Sequence, residues 1–142
     1  MTEPRPFLGH LNIVVRDMDA AVAFYRRLGV DIPDGMPEWD PHHRSASAAS
    51  GVPLDFDSVE FAKRWDEATT GPACTIVFDV ATRPEVDRVY ADLTGTGYRG
   101  RHAPYDAFWG SRFAVVEDPD GNPVGLMSPV DAAMRRDVAP PS

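Results

Sequence analysis

Three carboxylates lie close together in the segment "DFDSVE", and they are the side chains whose spacing first suggests chemistry: Asp55, Asp57 and Glu60. Neighbouring carboxylates can exchange protons with a substrate, because burial and like charges move their pKa values toward neutrality. Residues of this kind more often face water or cap a helix. We therefore assign no catalytic residue from this pattern alone.

Other candidate groups are isolated. His42 and His43 follow Asp40-Pro41, and adjacent residues on a strand point to opposite faces, so we predict an exposed loop pair that does not share a metal ion. Ser111 follows Gly110 without the rest of a nucleophile elbow. The sequence has no glycine-rich phosphate loop and no spaced Cys/His cluster.

The single cysteine, Cys74, lies in the apolar run "ACTIVFDV" and has no partner for an intramolecular disulfide. We predict a buried, unreactive thiol, because no histidine is close in sequence. The N-terminal segment lacks the order of a signal peptide, and no apolar run reaches the roughly 18 residues of a membrane span. These features favour a cytoplasmic protein without a membrane partner.

Length and charge narrow the class of protein further. A chain of 142 residues is typical of one domain. The net charge of −8 argues against nucleic acid as a partner, because binding phosphates normally requires clustered Lys and Arg. A neutral, cationic or aromatic small molecule is easier to accommodate.

A strand is predicted near the N-terminus, and it places two candidate ligand-binding side chains, His10 and Asn12, on the same face. Leu11, Ile13 and Val15 alternate, which predicts a strand with one apolar face. His10 and Asn12 then lie on the opposite face. We expect these two residues to be available to a ligand.

A helix follows this strand, and the same order returns later in the chain. The period changes to that of a helix that begins at Asp17 or Asp19 and ends at Gly29. In "ACTIVFDVATRPEVDRVYADLTGTGY", a second strand precedes a helix whose start, Thr82 and Glu85, has the spacing of a capping box. Two modules of about 60 residues are predicted.

Short β-rich segments complete each module. Three follow the second helix, and the turn Asp118 to Asn122 is the clearest hairpin signal. In the first module we predict a strand within residues 38–49, and "DFDSVEFAKRWDEA" as either a strand with a short helix or an extended loop. The prediction is an α+β chain forming a single domain over residues 1–142, with modules at about 7–66 and 72–130 and a frayed C-terminal tail.

The duplicated order, the aromatic pair Phe24-Tyr25 before Gly29, and the "DPDGN" turn together resemble the vicinal oxygen chelate superfamily. That superfamily includes glyoxalase I, extradiol dioxygenases, fosfomycin-modifying enzymes and bleomycin-resistance proteins. The resemblance implies two β-α-β-β-β modules whose curved mixed sheets surround a cleft, usually in a dimer. It leaves function open, since the scaffold hosts metal enzymes and metal-free binders.

In metal-dependent relatives, the ligands come from the first and last strands of the modules. His10 occupies the first position, whereas the matching position of the second module is Ala73. Gly125 stands where the last strand usually carries a glutamate, and it would leave space beside the cleft wall. One further position is open to a first-module carboxylate: Asp55, Asp57 or Glu60. A catalytic metal normally needs about three protein ligands, so we predict no metal and no cofactor.

Aromatic side chains outside the two core helices then become informative, because such rings can stack on a flat ligand. We predict a homodimeric, metal-free protein that sequesters an aromatic natural product or antibiotic and is more a binder than an enzyme. The predicted ligand-binding residues are His10, Asn12, Trp39, Phe56, Trp65, Tyr105, Phe108, Trp109 and Arg112. The alternative is a divalent-metal-dependent lyase, isomerase or dioxygenase that uses His10.

Overall fold

The structure, a computed structural model, describes residues 5–141. Its helices are α1 (Met18–Arg27), α2 (Val59–Trp65) and α3 (Arg83–Thr96). Its strands are β1 (Phe7–Val15), β2 (His43–Ser47), β3 (Pro53–Ser58), β4 (Ala73–Asp79), β5 (Gly100–Asp106), β6 (Arg112–Glu117) and β7 (Pro123–Met127), and a short 3-10 turn covers Ala132–Met134. The predicted α+β class is confirmed.

The described chain forms two compact units. The N-terminal unit comprises residues 10–75 and 139–141, and the C-terminal unit comprises residues 5–9 and 76–138. The tail that was predicted to fray makes hydrogen bonds in both units. The Arg136 N–H donates to the Phe108 carbonyl at 2.8 Å, and Arg64 Nη1 donates to the Ala139 carbonyl at 2.6 Å.

In the N-terminal unit, a mixed sheet has the strand order β2-β3-β1, with β3 parallel to β1 and antiparallel to β2. Helix α1 covers one face of it. The core there consists of Met18, Val22, Ile32, Leu54 and Phe56, with Leu11, Ile13 and Val15 packed against them. The predicted apolar face of β1 is confirmed, so His10 and Asn12 lie on the face away from α1.

Helix α1 begins where the sequence indicated. The side chain of Asp17 accepts a hydrogen bond from the Ala20 N–H at 3.1 Å, which satisfies one of the free amide groups of the first turn. After the helix, Gly29 has a φ of +87°, a conformation that favours glycine. The prediction of a cap at Asp17 or Asp19 therefore resolves to Asp17.

The first module departs from the predicted β-α-β-β-β order. After α1 it has β2, inside the predicted window of residues 38–49, and then β3, followed directly by α2. A single bridge between Asp31 and Ser47 stands where a further strand was expected. The sequence Pro33-Asp34-Gly35 explains this, because proline lacks the N–H that a longer ladder would need.

The C-terminal unit follows the predicted order, with the strands arranged β4-β7-β6-β5. Thr82 caps α3 by accepting from the Glu85 N–H at 3.3 Å. Helix α3 covers one face of the sheet, and the core there consists of Val80, Val86, Ala114 and Leu126, with Phe78, Val89 and Tyr90 packed against it. In the hairpin before β7, Gly121 has a φ of +89° and the Asp118 N–H donates to the Asn122 carbonyl at 3.0 Å.

Candidate functional site

One face of the N-terminal sheet is polar on all three strands. Strand alternation and the register, which places Asn12 beside Asp55 and Asp57 beside His43, put polar side chains next to one another on the face away from α1. We call this the polar face, and its residues are His10, Asn12, His43, Ser45, Asp55 and Asp57. Such a face is unusual inside a small domain, because buried polar groups must find hydrogen-bond partners.

Asp57 is the most buried member, with 3% of its surface exposed. Its Oδ2 accepts hydrogen bonds from Asn12 Nδ2 at 3.1 Å and from Trp65 Nε1 at 2.9 Å. Its Oδ1 lies 2.6 Å from His43 Nδ1. Three donors from three different elements therefore fix this carboxylate and compensate for its burial.

His43 is oriented by that contact. A carboxylate accepts only, so Nδ1 carries the proton and donates to Asp57, which leaves Nε2 of the neutral ring as an acceptor. Burial lowers the pKa of His43, but the hydrogen bond and charge of Asp57, with the charge of Asp55, outweigh it and raise the pKa above its ordinary value. Nε2 lies 3.3 Å from Ser45 Oγ.

A second pair lies beside the first. His10 Nε2 is 3.5 Å from Asp55 Oδ2, and both side chains are partly exposed. The pKa of Asp55 is raised, chiefly by burial and with a contribution from the charge of Asp57, against the opposing charges of His10 and His43. The polar face thus holds two neighbouring histidine–carboxylate pairs.

An aromatic wall stands over one end of the polar face. Ser58 Oγ accepts from the Phe61 N–H at 3.0 Å and starts α2 directly after β3. Phe61 and Trp65, four residues apart, then share one side of α2. The ring of Phe61 is 5.2 Å from that of Trp39 and 5.9 Å from that of His43. This wall, Trp39, Phe61 and Trp65, lies beside the His43–Asp57 pair.

Asn12 contributes an acceptor that remains unused within residues 5–141. Its Nδ2 donates to Asp57, which fixes the amide orientation, and its Oδ1 is buried without a hydrogen-bond partner there. The residue is 6% exposed. A buried unsatisfied acceptor costs about 1–3 kcal/mol, so a donor on a bound molecule would be stabilised at this position.

The predicted ligand residues are distributed unevenly. His10 and Asn12 lie on the polar face, and Trp39 and Trp65 belong to the aromatic wall. Phe56 instead lies fully buried in the core under α1, with its ring 5.0 Å from that of Tyr25, because strand alternation turns it to the opposite face from Asp55 and Asp57.

The other predicted ligand residues lie in the C-terminal unit. There, Phe113 meets the rings of Tyr105 and Trp109 at 6.2 Å and 5.4 Å, and Phe108 meets Trp109 at 5.4 Å. Arg112 binds acidic groups of its own unit: its Nη2 is 2.8 Å from Asp87 and its Nη1 is 3.2 Å from Asp106.

The space at Gly125 is filled. A Cβ added there would lie 3.2 Å from two carbons of the Phe113 ring and 3.2 Å from Val77 Cγ2. The expectation that this glycine leaves space beside a cleft wall is therefore wrong. Glycine at 125 instead lets an aromatic ring approach the backbone of β7.

Two further predictions are corrected. His42 and His43 are not an exposed loop pair, since both are half-buried: His42 Nδ1 lies 2.8 Å from Ser58 Oγ, and His43 begins β2. Cys74 is exposed rather than buried. Partial burial still raises the pKa of its thiol, which disfavours the reactive thiolate.

The donor atoms do not fit a divalent metal centre of three protein ligands. His10 and Asp55 supply two candidate donors, while Ala73 and Gly125 have none. Among residues 5–141, no group of three or more His, Cys, Asp or Glu is placed so that it could hold a metal ion.

Comparison with known proteins identifies the family. The Glyoxalase/Bleomycin resistance protein/Dioxygenase superfamily matches residues 7–126, so the chain belongs to that superfamily. A search of curated proteins found no match. No helix within the described part of the chain is long and apolar enough to cross a membrane.

Solved structures share the fold at low sequence identity. An NAD-dependent benzaldehyde dehydrogenase from Legionella pneumophila matches with a TM-score of 0.61 and 16% identity, over 83% of this chain and 97% of that one. A methylmalonyl-CoA epimerase from Mycobacterium tuberculosis has a TM-score of 0.57 and 21% identity, over 89% of each chain. A Mn(II)-bound glyoxalase from Novosphingobium aromaticivorans has a TM-score of 0.59 and 18% identity, over 93% of this chain and 42% of that one.

The sequence reasoning missed His43 and Ser45 as members of the site. Their signal was the alternation of polar residues in "HRSAS", which places residues 43, 45 and 47 on one face of a strand. The second signal was the alternation of Asp55 and Asp57 in the neighbouring strand. Only the pairing of β2 with β3 brings the two sets together.

Proposed function

We propose that the protein binds a small aromatic molecule on the polar face of its N-terminal unit, without a metal and without a cofactor, and sequesters it in the manner of a drug-resistance protein. The observation that carries this proposal is the buried Oδ1 of Asn12, which has no partner within the described residues. Because Oδ1 is buried, a ligand reaches it only when neighbouring side chains move aside, and a hydrogen bond donated there would then remove an existing energetic cost.

The surroundings of Asn12 suit an aromatic compound with a polar or cationic substituent. The polar face supplies carboxylate and imidazole groups, and Trp39, the partly exposed ring of the aromatic wall, supplies a surface for stacking and cation–π contact. The net charge of −8 favours cations over anions in its vicinity. We further propose that the protein acts as a single domain, assembles as a homodimer and works in the cytoplasm.

The test is a titration followed by tryptophan fluorescence, with bleomycin, tryptamine and indole-3-acetate as ligands. The last two carry the same ring with opposite charge. We expect saturable quenching by a cationic aromatic compound, weaker binding of indole-3-acetate, and loss of affinity in Asn12→Leu. The variant Trp109→Phe should retain the quenching, because Trp39 and Trp65 lie by the polar face.

The matched control is Ser47→Ala, which changes an exposed residue of the same strand as His43. Circular dichroism must show that Asn12→Leu is folded. The proposal fails if none of the three compounds quenches the fluorescence, or if folded Asn12→Leu binds them as tightly as the wild type.

A second candidate function is a metal-dependent lyase, isomerase or dioxygenase that uses His10. The observation in its favour is the 3.5 Å separation of His10 Nε2 and Asp55 Oδ2, which places two candidate donors side by side. Metal analysis of the purified protein separates the two candidates. Stoichiometric zinc, nickel, manganese or iron that is lost in His10→Ala would replace the binding proposal with this one.

A further inference from the structure

Three side chains of the polar face are connected in the order acid, imidazole, hydroxyl. Asp57 Oδ1 lies 2.6 Å from His43 Nδ1, and His43 Nε2 lies 3.3 Å from Ser45 Oγ. This is the order in which a carboxylate orients an imidazole that then takes a proton from a nucleophilic hydroxyl. Such an arrangement is recognised by its geometry and is independent of fold.

Asp57 is held as a positioning group requires. Its second oxygen accepts from Asn12 Nδ2 and Trp65 Nε1, so the carboxylate cannot turn away from the imidazole without losing two buried hydrogen bonds. The contact with Nδ1 selects the tautomer whose Nε2 accepts a proton. His43 therefore has the tautomer and the orientation of a general base.

Ser45 is the accessible end of the series. It is exposed and belongs to β2, which lies at the edge of its sheet, whereas Asp57 is buried beneath the aromatic wall. In the neutral ring Nε2 is an acceptor, so the Ser45 hydroxyl can donate its one proton there, and the Asp55 carboxylate is a second acceptor for the same proton. An electrophile can reach the hydroxyl oxygen from solvent when its proton is directed at His43.

We propose that Ser45, His43 and Asp57 form a nucleophilic relay that accepts an acyl group from an activated ester. In this step, Ser45 Oγ forms a bond to the acyl carbon and the bond from that carbon to the leaving oxygen breaks. The hydroxyl proton passes to His43 Nε2 and then to the leaving alkoxide or phenolate. A water molecule then gives a proton to His43 Nε2 and bonds to the acyl carbon, and the bond from that carbon to Ser45 Oγ breaks. The proton passes from His43 to Oγ, so that Ser45 is restored and a carboxylic acid is released.

Asp55 is the neighbour that opposes this reaction. Its carboxylate competes with His43 Nε2 for the single hydroxyl proton of Ser45, and a negative charge there disfavours the oxyanion that develops during acyl transfer. Its pairing with His10 reduces this effect. Removing the charge in Asp55→Asn is expected to accelerate acylation, and this response distinguishes His43 from Asp55 as the base.

The experiment measures covalent labelling by a fluorophosphonate, located by peptide mass spectrometry, and hydrolysis of p-nitrophenyl acetate. We expect one label per chain, on Ser45, and no label there in Ser45→Ala. His43→Gln should label about 100-fold more slowly, the contribution of a general base. Asp57→Asn should also be slow, and Ser47→Ala on the same strand should behave as wild type.

Three outcomes would overturn the proposal. They are a label that is absent from Ser45, labelling of Ser45 that is equally fast in His43→Gln, and slower labelling in Asp55→Asn, which would make Asp55 the base. If Asp57→Asn does not fold, His43→Gln still tests the proposal. That variant keeps the hydrogen bonds that Asn12 and Trp65 donate to Asp57. The relay does not depend on ligand sequestration, since the two experiments use different reagents and readouts.

Discussion

The two units of this protein fill equivalent positions of their sheets with opposite kinds of residue, polar in the N-terminal unit and apolar in the C-terminal unit. In each unit, a strand that precedes a helix pairs in parallel with a later strand, and that strand pairs with an antiparallel neighbour. When His10 is matched with Ala73, as in the sequence comparison of the two modules, Val14 matches Val77, and the registers then make Asp57 and His43 equivalent to Gly125 and Val115. Asp57 and Gly125 are therefore counterparts.

The difference shows two ways of filling one position of a sheet. In the N-terminal unit, the carboxylate of Asp57 is buried because three donors converge on it. In the C-terminal unit, glycine leaves the position to the Phe113 ring, and the neighbouring Val77 and Val115 are buried. A polar arrangement depends on complete hydrogen bonding, whereas an apolar one depends on volume. Function is therefore expected on the polar face, where a change of hydrogen-bond partner alters the protonation of a histidine or a carboxylate.

The largest effect is expected from Asp57→Ala. Removing the carboxylate strands the buried donors of Asn12 and Trp65, each at about 1–3 kcal/mol, so the free energy of unfolding should fall by about 3 kcal/mol. Urea denaturation at neutral pH measures this. Asp55→Ala is the matched control and should cost less than about 1 kcal/mol, because Asp55 is partly exposed. Equal losses in the two variants would contradict the central position of Asp57.

A smaller loss is expected from Gly125→Ala. The new Cβ would lie 3.2 Å from Phe113 and Val77, so the ring must shift, and overpacking of this kind costs about 1–3 kcal/mol. Gly95→Ala is the control, because Gly95 lies in α3 with nothing near its added Cβ, and there alanine should stabilise the helix by about 1 kcal/mol. Opposite shifts of the two melting temperatures are the expected result. A stabilising Gly125→Ala would show that the space is open after all.

Much of the fold was readable from local signals. Asp17 and Thr82 cap helices where their spacing indicated, and Gly121 takes the positive φ that its turn requires. Each of these features is decided by a few consecutive residues. The faces of β1 were equally predictable, because alternation in Leu11, Ile13 and Val15 is a property of one strand.

The candidate site was only half predictable, for a physical reason. His10 and Asn12 were found because they belong to a strongly alternating strand. His43 was assigned to an exposed loop, because its environment is created by Asp57, fourteen residues away across a strand pair. Phe56 was included as a ligand residue because its sequence neighbourhood looked irregular, although pairing turns it into the core. Long-range register decides such residues, and one sequence does not encode it locally.

The subtlest test concerns the protonation of His43. Burial lowers its pKa, but the hydrogen bond and charge of Asp57, with the charge of Asp55, raise it above the ordinary 6.5; from α2, the facing group is the uncharged ring of Phe61. The folded state therefore binds the proton more tightly than the unfolded state. This contribution to stability is fully present below pH 6.5 and is lost as the pH rises through the folded pKa. An NMR titration of the imidazole should give a pKa above 6.5 that falls in Asp57→Asn, and the loss of stability should be absent in His43→Gln. A wild-type pKa at or below 6.5 would mean that the effect of burial on His43 outweighs that of the Asp57 carboxylate. The polar face would then hold a neutral imidazole, and its difference from the Gly125 position would lie in packing and not in charge.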